Sequence, residues 1–129
     1  MANPTSFTIT ELSPNSYASL PTAQAVDTNG TVPIDAKGDI GGIIIEVVNT
    51  DDAALTVKIL KGDNPPAIAQ GDDLSIALAA SGGGATAQRM IGPLEGAKYI
   101  QDDGKISVNF TAATGAPAAS VRVYRLPRM

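Results

Sequence analysis

The chain of 129 residues contains no histidine, no cysteine and no tryptophan, and each absence closes off a class of chemistry. Without histidine the commonest general base and metal ligand are missing, and without cysteine so are disulfides, thiol nucleophiles and most zinc sites. Aromatics are only 4% of residues, namely Phe7, Tyr17, Tyr99, Phe110 and Tyr124, against 43% hydrophobic residues overall. The interior is therefore expected to be aliphatic. Too few aromatic faces remain for a sugar-stacking platform or a base-stacking groove.

Charge is sparse as well. A formal net charge of −4 opposes attraction to phosphate backbones or anionic lipid, so neither nucleic acid nor membrane is an expected partner. The longest apolar run, "IGGIIIEVV", falls far short of the roughly 20 residues of a membrane helix. "MANPTSFTIT" has no basic segment leading into an apolar one, so the expectation is a soluble protein made in the cytoplasm. All four arginines, Arg89, Arg122, Arg125 and Arg128, stand in the last third. They read either as a local contact patch or as a solvated tail.

Alternation with period two is the pattern that is present. In "KISVNF" Ile106, Val108 and Phe110 share one face while Lys105, Ser107 and Asn109 take the other. "LTVKI" and "LSIAL" behave alike, and "SVRVYR" sets Val121 and Val123 against Arg122 and Tyr124. Thirteen glycines and nine prolines punctuate these runs in turns such as "SPNS", "KGDNPP", "SGGG" and "QDDG". Strands are expected near residues 6–12, 41–49, 54–61, 73–80, 85–92, 97–101, 105–111 and 118–126. That gives an all-β fold: a single-domain antiparallel β-sandwich or jelly-roll-like barrel of about eight strands, spanning 1–129.

Two connections read as hairpins, "NTDDAA" and "QDDGK", and "SGGGATAQR" as a flexible hairpin tip. Residues 13–40, with Pro14, Pro21 and Pro33 and little alternation, read as a meandering loop holding one short strand near 23–26. The termini, 1–6 and 126–129, read as arms, free in isolation and ordered against a partner.

Only carboxylates remain for catalysis. Asp51-Asp52, Asp72-Asp73 and Asp102-Asp103 each sit in a turn, where aspartate bonds nearby backbone, and neighbours in sequence point apart. The calcium-loop spacing and the phosphate-loop signature are both absent. No catalytic residue, cofactor or metal is expected, and the chain is read as a non-enzyme whose partner is another protein.

Four phrases in order, "TITELSPNSYASLPTAQAVDTNGTVPI", "VVNTDDAALTVKILKGDNPPAIAQGDDLSIAL", "IGPLEGAKYIQDDGKISVNF" and "VRVYRLPR", together resemble the small all-β head proteins of tailed bacteriophages, the capsid decoration or cement proteins. The resemblance covers most of the chain and carries no catalytic signature. It implies a virion protein on the capsid exterior, bound to the major capsid protein and often to itself as a trimer on the lattice, holding the shell against internal pressure. Candidate capsid contacts are Ala2, Asn3, Pro4, Thr5 and Ser6 at one end and Arg122, Tyr124, Arg125 and Arg128 at the other. A tail or baseplate β-sandwich and a glycan-binding module remain as alternatives.

Overall fold

A computed structural model describes residues 3–36, 42–62, 72–94, 96–101 and 103–126. Its strands are β1 (Ile9–Glu11), β2 (Gln24–Val26), β3 (Gly30–Asp35), β4 (Ile43–Asn49), β5 (Leu55–Ile59), β6 (Leu74–Leu78), β7 (Gln88–Ile91), β8 (Lys105–Ala112) and β9 (Ala119–Arg125). A 3₁₀ segment, Ser81–Ala87, precedes β7, and a single helical turn, Gly96–Tyr99, precedes β8.

Pairing explains the architecture. β2 pairs with β9, β3 with β8, β4 with β7 and β5 with β6, all antiparallel, as if one long hairpin ribbon had been folded at β5–β6. Rolling that ribbon brings β4 against β9 and β5 against β8, again antiparallel. The result is a front sheet, β3-β8-β5-β6, and a back sheet in which β9 is flanked by β4-β7 on one side and by β1 and β2 on the other. Apart from β5 to β6, each step along the chain from β2 to β9 changes sheet. This is a two-sheet jelly roll, not a closed barrel.

The alternating runs decide what lies between the sheets. Val32, Ile34, Leu55, Val57, Ile59, Ile106, Val108 and Phe110 face Ile43, Ile45, Val47, Val121 and Val123, all almost fully buried. Each such side chain contributes roughly 1.5–3 kcal/mol of burial. Among these aliphatic side chains one aromatic contact stands, where Phe7 meets Phe110 edge to face at 5.9 Å and 80°.

Several expectations need correction. "NTDDAA" is an arch between sheets and no hairpin, because β4 and β5 belong to different sheets. Its conformation is fixed by Asn49, a polar side chain only 2% exposed. The Asn49 amide donates to the carbonyls of Ala53 and Ala79, both at 2.9 Å, and its oxygen accepts the Asp51 N–H at 3.1 Å. The buried amide thus has partners on the arch and on the far end of β6. "SGGGATAQR" likewise crosses between sheets in 3₁₀ turns, with Gly84 at φ 62°. Residues 97–101 form the helical turn's end and a loop, not a strand.

The supposed loop 13–40 contains β3. Pro33 argued against a strand there, yet its carbonyl accepts the Phe7 N–H at 2.9 Å from outside the sheet. Its missing N–H therefore points to the edge, away from β8, where no ladder bond is lost. Phe7 forms a parallel bridge to Ile34, and the chain then crosses to the back sheet, where β1 runs parallel to β9. Among the described residues these are the parallel contacts, and the other strand pairs are antiparallel. Among the described residues no helix is long and apolar enough to cross a membrane.

Candidate interaction face

Strand β4 is apolar on both parities. Ile43, Ile45 and Val47 enter the core, so Ile44, Glu46 and Val48 face outward, where all three are half-buried. Register then assembles the outer face of the back sheet: Ile44 lies beside Tyr124, Glu46 between Met90 and Arg122, and Val48 between Gln88 and Ser120. An outward surface of Ile, Val, Met and Tyr is unusual for a sheet that meets only water.

A charge pair stands in the middle of it. Arg122 Nη1 donates to Glu46 Oε1 at 2.6 Å, with both side chains about three-quarters buried. Arg122 Nε donates to the Pro21 carbonyl at 2.9 Å. That bond ties down the end of the connection between β1 and β2, a stretch containing a left-handed Asn15 at φ 53°. The same stretch exposes Tyr17 (96%) and Leu20 (71%), and Met90 on β7 is 67% exposed.

Arg122 lines two shallow cavities. One, about 440 Å³, includes Glu46, Val48, Gln88 and Met90; the other, about 350 Å³, includes Thr8, Thr10, Pro21 and Gln24. Beside this pair the Tyr124 phenol is pushed above its ordinary value of 10.0, first by burial and then by the Glu46 carboxylate, with Arg122 pulling the other way.

The sequence-predicted contact residues separate into three places. Arg122 and Tyr124 share the outer face just described. Arg125, from the same strand, turns over the edge to Glu11 at 2.9 Å and to the Ala36 carbonyl at 3.1 Å. Ser6 and Arg125 then line a common cavity of about 370 Å³. Residues 3–6 are tied to the body, in contrast to the expected free arm. The Asn3 side chain donates to the Thr28 carbonyl (2.8 Å) and accepts the N–H groups of Asp27 (2.9 Å) and Thr28 (3.0 Å). The Ser6 carbonyl accepts from Gln24 at 3.4 Å, Pro4 is half-buried and Thr5 is exposed. Ala2 and Arg128 lie outside the described residues.

Sequence reasoning missed Ile44, Glu46, Val48, Met90, Tyr17 and Leu20. The signal for the first three was in "IIIEVV", where aliphatic residues fall on both parities and depart from the apolar-in, polar-out alternation of a strand with one wet face. Three of the turn aspartates hold backbone N–H groups. Asp51 accepts the Asp52 N–H at 2.8 Å, Asp103 the Lys105 N–H at 3.1 Å and Asp73 the Lys61 N–H at 2.7 Å. Two of these bonds are local as expected, whereas Asp73 reaches across to the chain leaving β5. Asp102 lies outside the described residues.

No protein-family model, curated protein or solved structure matches this chain.

Proposed function

We propose that this chain is a non-enzymatic viral structural protein, a head decoration protein that binds the major capsid protein on the exterior of a tailed-phage shell and stabilises it. One observation supports the reading most: the exposed Tyr17 and Leu20 are carried on a connection anchored through Pro21 and Arg122 to a half-apolar sheet face. An exposed tyrosine and leucine on a connection tied to a face of aliphatic residues and a paired charge are the makings of a protein contact. The resemblance in phrase order supplies the identity of the partner. Repetition over a lattice lets modest contacts add up to a large mechanical effect.

Purified protein incubated with expanded capsids that lack it, then pelleted, is expected to co-sediment to saturation and to raise the melting temperature of the shell. Protein left wholly in the supernatant overturns the reading. The pair Tyr17→Ala and Leu20→Ser is expected to weaken capsid binding more than about tenfold while leaving the protein's own melting temperature unchanged. Antibody labelling that marks tails and spares heads would move the protein to the tail.

A further inference from the structure

Strand β6 ends the front sheet, and its free side can be worked out from its neighbours. The Leu60 N–H bonds to the Ser107 carbonyl (3.0 Å) and the Ala113 N–H to the Ala54 carbonyl (2.9 Å). Even-numbered residues of β5 therefore bond to β8, and Leu55, Val57 and Ile59 bond the other way, to Leu78, Ile76 and Leu74. Ser75 and Ala77, lying between these, turn their N–H and C=O groups outward. On that side the Ala77 carbonyl takes one long bond, 3.4 Å, from Arg89 Nε.

Among the described residues no strand pairs with this edge: past its end the Thr86 carbonyl holds the Ala79 N–H at 3.0 Å, while the outward groups of Ser75 and Ala77 have no backbone partner. β3 carries Pro33 and is covered by Phe7; β9 is covered by β1 and β2; β7 is only four residues long and carries Arg89. "LSIAL" has no charge, no proline and no bulge, and Leu74 is 37% exposed. Charge is laid out with opposite sign at its two ends. Asp72 and Asp73 precede β6, and Arg89, which has no carboxylate partner among the described residues, lies over Ala77.

We infer that β6 is a self-association edge whose occupant is β6 of a second copy, antiparallel, with Ile76 on the two-fold axis. In that register Ser75 of each copy exchanges N–H and C=O bonds with Ala77 of the other, making four hydrogen bonds, and the two Ile76 side chains face each other in the closely spaced pair between them. The paired segment ends at Ser75 and Ala77, because the Thr86 carbonyl already holds the Ala79 N–H at 3.0 Å, and the partner's Asp72–Asp73 leaves the ladder beside Ala77. Each Arg89 gives up its long bond to the carbonyl and meets the partner's Asp72–Asp73 end, while no like charges are opposed. The two front sheets become one continuous sheet of eight strands, leaving the outer face of each back sheet clear. The inference stands independently of the capsid reading.

The chain's lack of cysteine makes the register directly measurable. Ile76→Cys is expected to form a disulfide-linked dimer under mild oxidation, since facing residues in such a pair lie about 4.5 Å apart, within disulfide range. Ser75→Cys is expected to cross-link far less. Sedimentation velocity of the unmodified chain is expected to show a dimer that grows with concentration. Ala77→Pro deletes an N–H that the fold does not use, so it should keep the melting temperature and abolish the dimer. Arg89→Glu should weaken association, and adding Asp72→Arg should restore it. A chain that stays monomeric at every concentration overturns the proposal, as does a dimer indifferent to Ala77→Pro.

Discussion

The two outer faces of the sandwich are built on the same ladder yet treat solvent differently. Across the front sheet the register lines up Thr31, Asn109, Lys58 and Ser75 in one row, and Thr111, Thr56 and Ala77 in the next. Its amide and hydroxyls satisfy one another: Asn109 donates to Thr31 Oγ1 and accepts from Thr111 Oγ1, both at 3.0 Å. Across the back sheet the equivalent rows hold Ile44 with Tyr124, and Met90 with Glu46 and Arg122. Polar rungs linked side to side are finished by water. Aliphatic rungs around a paired charge are what the proposed capsid contact would cover, and on that proposal the back face is the working side.

The comparison can be broken most severely where the two sheets are joined. Asn49→Ala leaves the Ala53 carbonyl and Asp51 N–H of the arch and the Ala79 carbonyl beyond β6 without their buried partner, and should cost about 3 kcal/mol in denaturant unfolding, weakening both faces together. Next comes the centre of the back face. Glu46→Ala strands a partly buried guanidinium and should cost about 1–2 kcal/mol, with a double-mutant cycle against Arg122→Ala returning a clear coupling. The same experiment on the front face should be nearly silent, with Asn109→Ala and Thr111→Ala each within about 0.5 kcal/mol.

The smallest effect is a pH dependence. Because the folded Tyr124 phenol titrates above its ordinary 10.0, its contribution is complete below pH 10 and is lost as pH rises through the folded value. Unfolding measured across that alkaline range should fall less steeply in Tyr124→Phe than in the parent. Equal slopes would mean that burial and the Glu46 carboxylate do not hold the phenol above its ordinary value.

Much of the interior was legible in the sequence because side-chain parity is local. Ile106, Val108 and Phe110, or Val121 and Val123, could enter the core only together. What escaped was set by partners far along the chain. Glu46 and Arg122 are 76 residues apart and meet only because the ribbon rolls β4 against β9. Arg125 has the parity of the buried Val121 and Val123, but lies at the strand's end, where an edge leads it to Glu11. β3 was hidden by a proline whose harmlessness depends on which side of the strand Phe7 approaches. The arch at "NTDDAA" has the length and composition of a hairpin, and only the buried Asn49 reveals that its two strands part company. The outer face itself was half visible, in a run that carries Ile44 and Val48 on the side turned away from the core.

β1 and β9 run in the same direction, with Ile9, Thr10 and Glu11 set against Val123, Tyr124 and Arg125 and the Leu12 N–H closing onto the Arg125 carbonyl at 3.0 Å. A force pulling upstream of β1 and downstream of β9 would load those bonds and the Glu11–Arg125 contact at once, in shear, instead of peeling them singly. Stretching between its two ends should therefore meet high resistance at the start of extension, the response of a lap joint and not of a zip.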